Sequence, residues 1–87
     1  MTRYHVEVAR RGLKSITALP RKDQQRVRAA IDLLAENPRP SGCVALAGEA
    51  HAYRVRTGDY RIIYEVFDER LLVQFVRAGH RRDIYRK

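Results

Sequence analysis

The segment Tyr53-Arg-Val-Arg-Thr-Gly-Asp-Tyr-Arg-Ile-Ile-Tyr64 constrains this chain more than any other. On either side of Gly58-Asp59 the residues alternate in character, which is the period of a β-strand. Two residues separate the runs, and a glycine in the first of those positions suits a type II′ hairpin turn. Such a turn fixes the register of its strands. Thr57 then lies opposite Tyr60, Arg56 opposite Arg61, Val55 opposite Ile62 and Arg54 opposite Ile63. One face carries Tyr53, Val55, Thr57, Tyr60, Ile62 and Tyr64, apolar enough to rest on helices, and the other presents Arg54, Arg56 and Arg61.

The second face is unfavourable by itself. Two like charges placed directly opposite destabilise a sheet by a few tenths of a kcal/mol up to ~1 kcal/mol, and Glu65 on the same face relieves this only in part. Two readings are open. Arg56 and Arg61 form a floor that takes a phosphate between them, or they splay into water, where screening weakens the repulsion.

The remaining chain supplies what the hairpin rests on. Residues Tyr4 to Val8 alternate and read as a first strand. Arg10 to Leu19 carries Leu13, Ile16 and Leu19 at three-residue steps, a short helix stopped near Pro20. Arg21 to Glu36 places Val27, Ala30, Ile31 and Leu34 on one stripe, an amphipathic helix ending at Asn37-Pro38. Residues Pro38 to Ala52 read as a loop, Phe67 to Arg70 as a turn, and Leu71 to Arg77 as the last strand, broken by Ala78-Gly79. His80 to Lys87 reads as a short polar tail of one or two helical turns. The order β-α-α-β-β-β implies an α+β domain spanning residues 1–87: a small antiparallel sheet, a helical hairpin on one face, and a short C-terminal tail helix.

Charge narrows the partners. Eighteen Lys and Arg stand against ten Asp and Glu, a net charge of +8, and all the cations but Lys14, Lys22 and Lys87 are Arg. Such a field favours polyanions, and the guanidinium fork grips phosphate in bidentate fashion; an Arg-rich composition also fits a GC-rich genome. Cys43 is the single cysteine, so no intramolecular disulfide forms, it reads as structural, and a reducing cytoplasm fits. No secretory signal and no apolar run near the ~18 residues of a membrane span is present, so no membrane partner is expected. Nor is there a Gly-rich phosphate loop, a Cys/His metal spacing or a G-x-S-x-G, so neither metal nor other cofactor is expected.

The tail sharpens the anion reading. His80-Arg-Arg-Asp-Ile-Tyr-Arg-Lys87 adds four cations, a histidine and a tyrosine just after the last strand. If that strand runs antiparallel to the middle one, its end returns beside Tyr60 and Arg61. Cations that hold phosphates, with rings that stack on bases, suit single-stranded RNA. Cleavage by a ribose 2′-hydroxyl needs a proton acceptor, a proton donor and cations over the phosphate oxygens. His80 titrates near neutrality and with Arg61 and Arg81 could supply those roles; a plain surface histidine remains the other reading. Arg82 joins Arg54 and Arg56 as a candidate substrate-binding cation. Tyr85 either stacks on a base or anchors the tail in the core. His5 and His51 read as surface groups.

The hairpin segment 53–64 and Gly79-His-Arg-Arg-Asp-Ile-Tyr-Arg86 resemble the RelE/ParE toxin superfamily, and within it the RelE-type branch. The opening strand, the Leu-Pro between the helices and the Asn-Pro ending the second also fit. The resemblance implies a small α+β endoribonuclease that cuts messenger RNA, typically in the ribosomal A site, and is silenced by an antitoxin whose extended segment wraps it. It implies contact with operator DNA only through that antitoxin. It also implies roles: Arg54 and Arg56 hold the substrate and aid proton transfer, Arg61 and Arg81 stabilise the transition state, and Tyr85 orients the nucleotide. The chain departs from the familiar pattern in carrying Arg at 54 and 56 where Lys is usual. Arg stays protonated, which directs the search for a general base to His80. Two other readings stand beside this one: a ParE-type inhibitor of DNA gyrase with the same fold, and an RNA-binding module without a reaction.

Overall fold

Burial along the central strand follows the two-residue period. Ile62, Tyr64 and Val66 are buried, while Arg61, Ile63, Glu65 and Phe67 between them are half-buried. The structure is a computed structural model described over residues 3–80, so the expected tail helix, with Arg81, Arg82 and Tyr85, lies outside the described residues. In chain order the elements are β1 (His5–Val8), α1 (Arg10–Thr17), α2 (Arg21–Glu36), β2 (Val44–Ala45), β3 (Ala52–Thr57), β4 (Tyr60–Phe67), a 3-10 turn (Asp68–Arg70) and β5 (Leu72–His80). The sheet order is β1-β5-β4-β3-β2.

The α+β class and the helical hairpin agree with the sequence reading. Ile16 of α1 and Val27, Ile31 and Leu34 of α2 pack against Ile62, Tyr64, Val66, Val73, Phe75 and Ala78 of the sheet. Both helices therefore cover one face. Buried aromatic and branched side chains of this kind supply most of the free energy of folding in a small domain. Tyr64 is wholly buried, and its hydroxyl donates a 2.7 Å hydrogen bond to the Pro38 carbonyl. Burial pushes its phenol well above the ordinary value, so it stays a neutral donor.

The hairpin has the expected register, with Arg56 paired to Arg61 and Thr57 to Tyr60. Gly58 takes φ +58° while Asp59 keeps a negative φ, as a type II′ turn requires.

The structure corrects three points. The sheet is mixed, not purely antiparallel, because β1 runs parallel to β5. A strand joined to the sheet only through two helices has no hairpin to set its direction. Ala78-Gly79 do not break the last strand; they pair with Ile62 and Arg61, and β5 continues to His80. The loop of residues 38–52 contains β2, a two-residue strand on the edge of β3. Within α1, Gly12 and Ile16 turn inward and Leu13 is exposed.

Gly12 shows how close that approach is. A Cβ built there would lie 2.7 Å from the Phe75 ring and 3.0 Å from its carbonyl oxygen. Alanine is the better helix former by about 1 kcal/mol, but overpacking of a core contact costs roughly 1–3 kcal/mol. Gly12→Ala should therefore lower the urea midpoint despite the gain in helix propensity. A raised midpoint would show that Phe75 yields freely.

Candidate functional site

Pairing across β3, β4 and β5 sorts the arginines. Directly paired residues of an antiparallel ladder share a face, so Arg54, Arg56 and Arg61 stand together on the side of the sheet away from the helices. Arg56 is exposed, while Arg54 and Arg61 are half-buried and the Arg61 Nε is enclosed. Ser41, Gly42 and Val44, with Arg54, Val55, Arg56 and Arg61, line a concavity of about 360 Å³. One wall of this basic pocket thus comes from the segment before β3.

A surface clamp holds the start of that segment. Arg39 donates to both oxygens of Asp68, at 3.0 and 2.8 Å, and through Nε to the Tyr53 hydroxyl at 3.0 Å. Its guanidinium carbon lies 5.1 Å from the Tyr53 ring centroid, within cation–π range. The Tyr4 hydroxyl donates to the same carboxylate at 2.6 Å. Residues before β1, between α2 and β2, in β3 and after β4 are thereby tied at one carboxylate. Hydrogen bonds from Arg39 and then Tyr4 hold the Asp68 carboxyl down at about 2.

His80 does not join the arginines. It pairs with Tyr60, which shares the helix-side face with Ile62, and its ring stands edge-on to Tyr60 with centroids 6.0 Å apart. The Tyr60 hydroxyl donates to Asp23 of α2 at 2.6 Å, which raises its phenol pKa. The expected return of the last strand beside Tyr60 and Arg61 is present, but Gly79, not His80, is the residue beside Arg61. The strand's two-residue period puts the two on opposite faces. Among the expected site residues the structure therefore brings together Arg54, Arg56 and Arg61, and separates His80 from them.

Sequence reasoning missed three contributors. The wall at Ser41, Gly42 and Val44 sits in a segment without periodicity. The Arg39–Asp68 pair spans 29 positions with no local signal. Arg77, read only as the end of the last strand, pairs with Ile63 and so belongs to the arginine face.

A small α+β domain with a cluster of arginines on the helix-free face of its sheet is the class that fold and site define, and comparison with known proteins makes it specific. Residues 6–85 match the family model described as the ParE toxin of the type II toxin-antitoxin system, parDE. The chain is also 32% identical over 93% of its length, and 92% of the relative's, to the protein assigned as toxin RelE1 in Methanocaldococcus jannaschii. The chain belongs to the RelE/ParE superfamily of type II toxins. Its fold is similar to that of the toxin–antitoxin complex RelBE2 from Mycobacterium tuberculosis, with TM-score 0.84, 27% identity, and coverage of 95% of this chain and 97% of that one. It is also similar to the archaeal RelE–RelB complex from Pyrococcus horikoshii, with TM-score 0.79, 28% identity, and coverage of 95% and 99%.

The clamp gives an acid-sensitivity prediction. The folded-state pKa of Asp68 lies below the ordinary 3.8, so its contribution is fully present above about pH 4 and lost as pH falls toward 2. Urea unfolding across that range should show wild-type stability declining more steeply than that of Asp68→Asn. Parallel declines would remove Asp68 from the account.

Proposed function

We propose that this toxin is a metal-independent endoribonuclease that cuts messenger RNA on the ribosome, acts in the cytoplasm, and is held silent by a cognate antitoxin. The observation that carries the reading is the convergence of Arg54, Arg56 and Arg61 on the helix-free face around the 360 Å³ pocket. Two like charges set directly opposite, as Arg56 and Arg61 are, oppose pairing by themselves. An RNA phosphate between them reverses the sign of that interaction, because each guanidinium then faces an anion.

In the reaction proposed, the ribose 2′-oxygen attacks the adjacent phosphorus and gives its proton to water. The bond to the 5′-oxygen breaks, a 2′,3′-cyclic phosphate is left on one fragment, and the departing 5′-oxygen takes a proton from water. Arg61, with its stem enclosed and its position fixed by two neighbouring strands, stabilises the charge that builds on the phosphate oxygens. Arg54 and Arg56 hold the substrate. Arg81, Arg82 and Tyr85 act from the chain that follows β5, the first two on phosphate and the tyrosine on the nucleotide. Every described cation of the floor is a guanidinium and stays protonated, so the floor binds and stabilises but does not accept the proton. With its ring against Tyr60, His80 anchors the end of β5 in this scheme rather than touching the phosphate.

The described complexes with RelB-type antitoxins support an antitoxin partner here. Such a partner should bring acidic and apolar residues to the basic pocket, and operator DNA would be reached only through it. The description of the matching family model favours a second reading, inhibition of DNA gyrase; the cluster of arginines around a pocket favours the nuclease.

Two measurements decide. On induction, new RNA 5′ ends should appear within translated codons without gyrase-dependent DNA breaks; breaks without RNA ends would establish the gyrase reading. Arg61→Ala should abolish growth arrest and lower cleavage at least ~100-fold, the scale set by loss of a transition-state donor. Its melting temperature should stay level or rise slightly, because the repulsion with Arg56 is gone. Unfolding of Arg61→Ala would make that residue structural.

A further inference from the structure

A β-bulge brings a fourth guanidinium to the floor. β4 and β5 pair Tyr64 with Phe75 and then Ile63 with Arg77, leaving Val76 as one extra residue on β5. Such an insertion reverses the alternation of the strand beyond it. With unbroken alternation Arg77 would share the face of Val73 and Phe75 and point into the apolar core, which a cation tolerates only when paired and hydrogen-bonded. With the bulge, Ala78 returns to the core at 6% exposure and Arg77 stands on the arginine face.

The rows across the strands then define a surface. One row runs Val44–Arg54–Ile63–Arg77 through β2, β3, β4 and β5, and the next runs Arg56–Arg61–Gly79. Strands lie about 4.8 Å apart, so the backbones of Arg54 and Arg77 stand roughly 10 Å apart with Arg61 on the adjoining row between them. Gly79 places no side chain beside Arg61. Toward the other end of the same face the charge changes sign: Glu65 pairs with Gln74, and Gln74 with Glu7 of β1. A phosphodiester chain following the strands would meet those carboxylates. One crossing the strands meets only cations and Ile63.

We propose that Arg77 is a substrate-positioning residue that holds the phosphate next to the one over Arg61, so that the RNA strand crosses the sheet from β3 to β5. This rests on the RNA reading above, and adds to it a path, a direction and a residue.

The test uses the full chain and two uncleavable probes lacking the 2′-hydroxyl: a single-stranded oligomer with several phosphates, and a dinucleotide with one. Binding of the oligomer is followed by fluorescence anisotropy over a range of salt, and binding of the dinucleotide by NMR titration. On the oligomer, Arg77→Ala and Arg77→Gln should each lower the slope of log affinity against log salt by about 0.7, the value for one phosphate contact on a single strand. Arg77→Lys should keep the wild-type slope. On the dinucleotide all three should match wild type, because its one phosphate belongs to Arg61. An unchanged slope in the folded Ala and Gln variants would overturn the assignment while leaving the RNA reading intact. An equal loss on the dinucleotide would also overturn it, since Arg77 would then share the Arg61 phosphate. Failure of wild type to bind either probe would overturn both this inference and the RNA reading.

Discussion

The register of β4 against its two neighbours is the constraint from which the remaining features follow. Because side chains alternate strictly along a strand, a slip of one residue would turn Ile62, Tyr64 and Val66 to water and drive Arg61 and Glu65 into the core. Three devices oppose that slip. The Gly58-Asp59 turn sets the pairing with β3, the hydrogen bond from Tyr64 to the Pro38 carbonyl fixes the strand against the end of α2, and the Val76 bulge resets the pairing with β5. The apolar face then finds the helices, and the cations are left on the side where a polyanion can reach them.

The hydrophobic core and the arginine cluster are thus separated by face. The helix side carries the hydrophobic core, and its polar groups are tied locally, as Tyr60 is to Asp23. The opposite side carries arginines whose mutual repulsion detracts from a small margin of stability. The clamp at Asp68 links the two. It secures the start of the segment that walls the basic pocket, using groups from four parts of the chain, and it does so at the rim, where it neither enters the core nor occupies the arginine face.

What the sequence made legible was local. The hairpin register follows from a two-residue turn with glycine, so the placement of Arg54, Arg56 and Arg61 could be read directly. The range of α2, Arg21–Glu36, follows from its apolar stripe and its flanking prolines. What escaped depends on contacts remote in sequence. The parallel direction of β1 is set by the free edge of β5, and the bulge at Val76 leaves no mark in composition, so Arg77 seemed merely to end a strand. His80 was grouped with the arginines by proximity in sequence, although the alternation beyond the bulge sends it to the other face.

The outer strands differ in length from the inner ones: β2 has two residues and β1 four, against eight and nine in β4 and β5. Past the end of β1, α1 takes over the flank of β5, where Ala9 N–H donates to the Phe75 carbonyl and Ala78 N–H to the Ser15 hydroxyl. Unpaired backbone at a sheet margin invites another chain to add itself as a further strand. By truncating one margin and roofing the other, the molecule can leave a broad sheet surface uncovered for a ligand without offering its rims as a template for self-assembly.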